Sequence, residues 1–230
     1  MITRPSLLEN PKSLPKLKRG RFITFEGIEG SGKTTQCRRL ALLLRNLGFQ
    51  VLETREPGGT PLAEGIRNLL LALPSARSTP ESITPSCEAL LIMAARAQHL
   101  AHVIRPAIQN GQVVLCDRYF DSTLAYQGYG RGMPLSHLRQ LQTLTSAGLS
   151  PDLTLLFDLP VAKGLSRRHQ SQYQNRLDRE VKAFHERVRQ GFLTLAKRQT
   201  RRIKTIQAGK QVLTVARQVD QHIVKLFGIT

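Results

Sequence analysis

Acidic residues are scarce in this chain: 16 Asp and Glu stand against 34 Lys and Arg, giving a formal charge of +18 and a pI near 10.9. Such an excess raises the question of a nucleic-acid partner, because clustered cations attract phosphate regardless of sequence. The distribution argues against that as the main role. The cations fall in an N-terminal group (Lys12, Lys16, Lys18, Arg19, Arg21), a central one (Lys163, Arg167, Arg168, Arg176, Arg179) and a late one (Lys197, Arg198, Arg201, Arg202, Lys204). A small polyanionic substrate accounts for the central group at least as well as DNA does. Cysteine is also sparse: Cys37, Cys87 and Cys116 lie far apart, without C-x-x-C or His-rich spacing. That argues against a disulfide framework and a zinc site, and fits a reducing cytoplasm. No apolar run approaches the roughly 18 residues of a membrane span. The first 20 residues lack the continuous apolar stretch of a secretory signal. A soluble, cytoplasmic protein with no membrane association is expected.

What is present is a glycine-rich phosphate loop. Gly27-Ile28-Glu29-Gly30-Ser31-Gly32-Lys33-Thr34 reads G-x-x-x-x-G-K-T. In such a loop successive backbone N–H groups point at phosphate oxygens, Lys33 reaches the outer phosphates, and the Thr34 hydroxyl is placed to ligate Mg²⁺. The setting is right: Phe22-Ile23-Thr24-Phe25 before it is a buried-strand run, and residues 35–47 after it have helical apolar spacing. The ligand implied is a nucleoside triphosphate with magnesium, bound by Gly27 through Thr35.

Strand-like and helix-like segments alternate along the rest of the chain. Residues 49–54 read as a second strand running into Arg55-Glu56-Pro57-Gly58-Gly59-Thr60, with Pro61 in the first turn of a helix to about Leu73. Pro74, Pro80 and Pro85 mark a loop before a long helix over residues 86–110, closed by Gly111, which Pro106 should kink or shorten. Residues 112–116, 153–157 and 203–206 read as further strands. Near-continuously apolar strands separated by helices predict an α/β fold with a five-stranded parallel sheet covered on both faces, a three-layer αβα arrangement. At 230 residues the chain suits one domain over residues 21–230, preceded by a poorly ordered basic arm over residues 1–20 with Pro5, Pro11 and Pro15. Ligands in such folds bind beyond the carboxyl ends of the strands. Gly27 onward, Arg55-Glu56, Asp117-Arg118 and Asp158 all follow strand ends, so four segments are expected to converge on one site.

Taken in order, Phe25-Glu26-Gly27-Ile28-Glu29-Gly30-Ser31-Gly32-Lys33-Thr34-Thr35-Gln36, Thr54-Arg55-Glu56-Pro57-Gly58-Gly59-Thr60-Pro61-Leu62, Ala94-Ala95-Arg96-Ala97-Gln98-His99, and Asp117-Arg118-Tyr119 running on to Ala125-Tyr126-Gln127-Gly128 are family-specific. The chain resembles bacterial thymidylate kinases, P-loop nucleoside monophosphate kinases that make dTDP from dTMP and ATP. The resemblance covers about residues 21–226. It implies that Arg118 grips the dTMP phosphate with its bidentate fork, and that Arg55 has a phosphate-side role. It further implies that Glu29 accepts a hydrogen bond from the deoxyribose 3′-hydroxyl, which explains a carboxylate inside an anion-binding loop. Arg96 is implied to hydrogen-bond the thymine carbonyl, with an ordinary helix ion pair as the alternative. Ser122, Thr123, Tyr126 and Gln127 are implied to close over base and sugar, Thr123 and Gln127 as direct contacts and Tyr126 as a contact or as packing. Asp117 is placed to hold Mg²⁺ directly or through water, or else to pair with Arg118.

The segment around residues 164–180 is basic, Gln-rich and poor in apolar residues, and resembles the mobile lid of these kinases. The loop itself carries no arginine between Gly30 and Gly32. The resemblance therefore implies that lid arginines supply the catalytic charge, Arg167 as an ATP contact and Arg168 and Arg176 as catalytic groups beside Lys33 and Arg118, with the phosphate met by each arginine left open. A homodimer, with the long helix as contact, is implied in the same way.

Two positions depart from the family pattern. Ile92 stands four residues before Arg96, where a phenylalanine usually stacks on thymine. The spacer after Asp178-Arg179-Glu180 is a few residues short, which leaves the roles of Arg179 and Glu180 open. His99 and His102, three apart on one helix and without an acidic partner in sequence, are read as surface or helix polar residues, not metal ligands.

Overall fold

A computed structural model describes residues 19–72, 82–169 and 175–229. Most of the N-terminal arm, the proline loop with Pro74 and Pro80, and the middle of the lid lie outside the described residues. The elements run β1 (Arg21–Glu26), α1 (Lys33–Asn46), β2 (Val51–Arg55), α2 (Pro61–Leu71), α3 (Pro85–His99), α4 (Arg105–Gln109), β3 (Val113–Asp117), α5 (Phe120–Thr123), α6 (Leu135–Ser146), β4 (Leu153–Asp158), α7 (Val161–His169), α8 (Lys182–Arg198), β5 (Ile203–Gln207) and α9 (Val212–Phe227). Short π-helical segments, Leu100–Ile104 and Leu124–Gly130, extend α3 and α5, and a 3₁₀ turn, Arg176–Arg179, precedes α8.

The five strands are parallel in the order β2-β3-β1-β4-β5. Alternation along each strand sends neighbouring side chains to opposite faces. Ile23, Phe25, Val113 and Leu115 pack with Cys37, Leu40, Ala41 and Leu44 of α1, the i, i+3, i+4, i+7 stripe of that helix. Phe22, Val114 and Cys116 pack on the other face with Leu100, Ile104 and Ile108. Both faces are therefore covered, which is why the central strands β1, β3 and β4 read as near-continuous apolar runs. Chain direction across the sheet reverses beside β1: β3 flanks it on one side and β4 on the other. That switch point, at the carboxyl end of β1, is where the glycine loop emerges.

The long helix runs over the expected residues, 85–109, and answers Pro106 locally. It is not shortened at Pro106; instead its turn widens just before that residue, with the Arg105 N–H donating to the Leu100 carbonyl five residues back. Proline has no N–H to give the carbonyl four residues earlier, and a π turn re-registers the bonds upstream of the gap. Regular bonding resumes with Asn110 N–H on the Pro106 carbonyl, and Gly111 closes the helix at φ 77°.

Candidate active site

The phosphate loop is shaped by glycines that no other residue replaces. Gly30 lies at φ 71°, and a Cβ there would come within 2.4 Å of the Gly164 carbonyl oxygen of α7. The loop is thus pressed against the helix that leads into the lid. Gly32 lies at φ 88° with no neighbour within 4 Å of an added Cβ, so its demand is conformational. Lys33, nearly buried, donates from Nζ to the Ile28 carbonyl at 2.8 Å and to Ser31 Oγ at 3.3 Å. Burial, followed by the Arg118 charge, pulls its pKa down to about 8 against the opposing pull of Asp117, Glu29 and Glu26.

One turn on, the Thr34 hydroxyl donates to Asp117 Oδ2 at 2.5 Å, joining the start of α1 to the end of β3. Two hard oxygen donors side by side at the mouth of a phosphate loop fit Mg²⁺, which takes one or two protein oxygens and completes its shell with water and phosphate. Among the described residues no group of three or more His, Cys, Asp and Glu is placed to hold a metal. The expected alternative, Asp117 paired with Arg118, is not what forms.

Arg118 sits instead at the centre of a separate network. Its backbone is at φ 76°, uncommon for a residue with a Cβ, and is held there by its N–H on the Phe25 carbonyl at 3.0 Å. From Nη1 the guanidinium donates to the Gly27 carbonyl and Ser122 Oγ at 3.0 and 3.1 Å, and from Nη2 to Glu29 Oε1 at 2.8 Å. The Tyr126 hydroxyl donates to Glu29 Oε2 at 2.6 Å. Burial would raise the Glu29 pKa, but the charges of Arg118 and Lys33 and the Tyr126 hydrogen bond outweigh it and hold the pKa below its ordinary value. Glu29 therefore leaves the phosphate loop as an anion and turns toward Arg118. Behind it, Glu26 accepts from Tyr119 N–H at 2.8 Å and Ser122 Oγ at 2.5 Å, and its pKa is raised to about 8 by burial and by Asp121.

Three adjoining clefts pass through these groups. One is walled by Ile92, Arg96, Thr123, Tyr126 and Gln127. A second shares Glu29, Arg67 and Arg118 with it and continues to Arg55, Lys33, Thr34, Asp117 and Arg168. The third runs along Gly30 to Gln36, with Arg167, Lys210 and Val212 opposite. The expected acceptor residues thus line the first cleft, apart from Arg55, which lines the second that shares its wall. Asp158, expected there as well, is held by Arg189 at 2.8 and 3.1 Å and lines none of these three clefts.

Arg96 is 2% exposed and pairs through Nε with Glu56 Oε2 at 2.6 Å, while Nη2 donates to Thr123 Oγ1 at 3.0 Å. It also lies over the Tyr119 ring, 5.0 Å from the centroid. It thus has a buried ion pair, made with a carboxylate beyond the end of β2 and not along a helix, and it lines the first cleft. His99 corrects its reading as a surface or helix polar residue without an acidic partner. It is fully buried, 3.4 Å from Glu56 Oε1 through Nδ1 and 2.7 Å from Thr54 Oγ1 through Nε2. Glu56 was adjacent in space and distant in sequence. Arg55, the last residue of β2 and not part of the loop proper, is half-exposed and donates to Glu64 at 3.0 Å.

The lid arginines separate. Arg167 donates to the Gly30 carbonyl at 3.2 Å, beside the third cleft, and Arg168 pairs with Asp178 at 2.9 Å and lines the second. Arg176 lies in the first cleft, donating to the Leu70 carbonyl at 3.0 Å and pairing with Glu88. Glu180 pairs with Arg131 at 2.6 Å, and Arg179 is exposed.

Sequence reasoning placed Glu56 at a strand end of the site without giving it a role, and passed over Arg67 and Glu88. Arg67 reaches the Pro57 carbonyl at 2.9 Å, and its pKa is lowered to about 10 by burial and the neighbouring Arg55 charge. Glu88 had a signal: it stands four residues before Ile92 and eight before Arg96, on one helix face. Arg67 had none, since only the folding of α2 over the Pro57 turn brings it in.

The family model for thymidylate kinase matches residues 25–219. A thymidylate kinase of Pseudomonas putida is 50% identical over 201 residues, 87% of this chain and 93% of that protein. One from Thermomicrobium roseum is 52% identical over 188 residues, 81% of this chain and 86% of that protein. Among solved structures, a thymidylate kinase from Ehrlichia chaffeensis superimposes with a TM-score of 0.70 at 35% identity, covering 89% of this chain and 99% of that one. With the loop, the strand-end residues and the clefts arranged as described, this chain belongs to the thymidylate kinase family of nucleoside monophosphate kinases.

Proposed function

We propose that the chain transfers the γ-phosphoryl group of ATP to dTMP, giving dTDP and ADP, with the first cleft holding dTMP and the glycine loop holding ATP. The observation that carries this reading is the shared wall of the clefts. Glu29 and Arg118 border both the first cleft and the second, so an acceptor phosphate gripped by Arg118 lies beside the phosphates above Lys33. That phosphate oxygen is already ionised, so no strong base is required. Catalysis is then in-line positioning and charge neutralisation. Lys33, leaving the Ile28 carbonyl, meets the outer phosphates. Arg118 and Arg55 face the acceptor phosphate, and Arg168 faces the transferring group. Arg167 lies on the ATP side. Arg176 touches Glu88 here, so its approach to the phosphoryl group requires the lid to move. Mg²⁺, held by Thr34 and Asp117, would neutralise phosphate charge. Glu29, beside Arg118 and Tyr126, would accept from the sugar hydroxyl, and Arg96, Thr123, Gln127 and Ile92 contact the base, with Tyr126 and Ser122 holding Glu29 and Arg118.

The same reading places the enzyme in the cytoplasm as a homodimer without nucleic acid as main partner. Supporting the dimer, α3 exposes Leu90, and its packing neighbours α2 and α6 expose Leu62, Leu69 and Leu144. No helix among the described residues is long and apolar enough to cross a membrane. ADP release coupled to an NADH readout, with ATP, Mg²⁺ and dTMP, tests the activity. dTMP-dependent turnover exceeding that with dUMP, dCMP or thymidine is expected, and ATP hydrolysis indifferent to all four would overturn it. Light scattering at micromolar concentration tests the dimer, a monomer mass counting against it.

A further inference from the structure

Glu88 handles no phosphate in the scheme above, yet it is a carboxylate only 2% exposed at the wall of the base cleft. Gln127 Nε2 donates to its Oε1 at 2.7 Å, Arg131 reaches both its oxygens at 3.3 Å, and Arg176 donates to Oε2. Burial pushes the Glu88 pKa up, but hydrogen bonds from Arg176 and Gln127 and the Arg131 charge outweigh it and keep it below its ordinary value. An ionised carboxylate only accepts hydrogen bonds. The end of the Gln127 amide facing it is therefore the NH₂ end, and the carbonyl points the other way. That carbonyl has no hydrogen bond among the described residues. The buried side-chain polar atoms lacking a partner there are Arg21 Nε and His185 Nε2. Gln127 Oε1 thus keeps open surface, and the cleft that Gln127 lines is where it lies.

Arg96 supplies the opposite polarity nearby. Its Nε and Nη2 are held by Glu56 and Thr123, whereas Nη1 has only long contacts, 3.5 Å to Gln142 and 3.6 Å to the Met93 sulfur. Arg96, through the Nη2 that donates to Thr123, and Gln127 line the same wall, so the cleft sets a guanidinium donor group and an amide acceptor beside a base.

We propose that Glu88 is a positioning residue for base specificity: it locks the Gln127 amide with its carbonyl toward the acceptor base. The cleft then reads a ring N–H beside a ring carbonyl, as in thymine or uracil, and rejects a ring nitrogen lone pair beside an exocyclic amine, as in cytosine. This rests on the reading of the cleft as the acceptor-nucleotide site. Cytosine would set its N3 lone pair against the Gln127 carbonyl and its amine against the Arg96 guanidinium. Polar groups left unpaired in a buried site discriminate strongly.

Glu88→Gln keeps the shape but offers both a carbonyl and an NH₂, so the Gln127 amide is free to turn. Steady-state kinetics with dTMP and dCMP at saturating ATP are expected to show kcat/KM for dTMP falling about tenfold, mostly through KM. The dTMP-to-dCMP ratio of kcat/KM is expected to shrink about a hundredfold, each reversed contact contributing on the order of tenfold. Glu88→Asp, still acceptor-only, is expected to keep most of the ratio even where kcat drops. In a Gln127→Leu background, Glu88→Gln is expected to leave the ratio unchanged. An unchanged ratio in Glu88→Gln alone overturns the proposal, and so does an equal loss in the Gln127→Leu background. Thermal melting accompanies each assay. Should Glu88→Gln prove too unstable, the Glu88→Asp ratio decides, and its collapse to the Gln127→Leu value overturns the proposal. Wild-type assay with dTMP separates the two levels: no dTDP overturns the acceptor reading itself, whereas normal turnover with a Glu88-independent ratio removes only the role of Glu88.

Discussion

The donor and acceptor sides of this site are built in different ways. The donor side is one continuous loop whose binding groups are mostly backbone N–H groups, organised by glycine conformation and by Gly30 lying against Gly164. The acceptor side is assembled from β2, α2, α3, α5 with its π extension, and the 3₁₀ turn before α8, and its side chains are locked by buried ion pairs. A backbone site needs little beyond the right local dihedrals. A side-chain site of this kind needs every carboxylate matched, since an uncompensated buried charge is costly. Damage on the donor side should therefore stop chemistry and spare the fold, while damage on the acceptor side should impair chemistry and fold together.

The largest expected effect tests the first half. Lys33→Ala is expected to lower kcat by about 10²–10³-fold or more, the scale for removing a preorganised charge stabiliser. Its melting temperature should stay within a few degrees of wild type, and a large loss of stability by calorimetry would break the contrast. Glu56→Ala tests the second half. It leaves Arg96 as a buried cation without its 2.6 Å partner, and is expected to cost about 3–5 kcal/mol in urea unfolding, with dTMP binding lost alongside. A variant that unfolds like wild type would show that the acceptor wall does not depend on this pair.

Glu26 sits behind both sides and yields a pH prediction. Its folded pKa, about 8, lies above the ordinary 4.5, so the folded state holds a proton that the unfolded chain releases. The stability this contributes is complete below about pH 4.5 and is lost as pH rises through about 8. Unfolding measured across that window should show wild type losing stability relative to Glu26→Gln as pH increases; parallel curves would refute the linkage. The smallest effect is on the base itself. Ile92→Phe should restore a ring facing thymine and lower KM for dTMP by roughly 2–10-fold, the equivalent of about 0.5–1.5 kcal/mol of aromatic contact. An unchanged KM would mean that Tyr126 or Tyr119, which line the same cleft, already occupy that role.

The same contrast explains how much was legible beforehand. The loop, Thr34 and Lys33 were readable because their spacing is local and their chemistry follows from that spacing. The central strands β1, β3 and β4 were legible because burial on both faces leaves a near-continuous apolar run, and the edge strands β2 and β5 were placed by their position between helices. His99 was misread because its partner Glu56 is 43 residues away, and no periodicity links a strand-end carboxylate to a helix imidazole. The lid arginines were read as one group because they are neighbours in sequence. The fold sends Arg167 to the phosphate loop and Arg176 to Glu88, since α7 and the 3₁₀ turn lie on different sides of the clefts.

From the amino-acid order alone come the ligand class, the parallel sheet and the identity of most groups at the site, because dihedral preference and hydrophobic period are properties of short segments. Which charge neutralises which was settled only by tertiary structure: Glu29 turned to Arg118, Glu56 set beneath Arg96, and Glu88 gathering Gln127, Arg131 and Arg176. Coulombic and hydrogen-bonding partners are selected by distance in space, and that distance exists only once the helices have packed against the sheet.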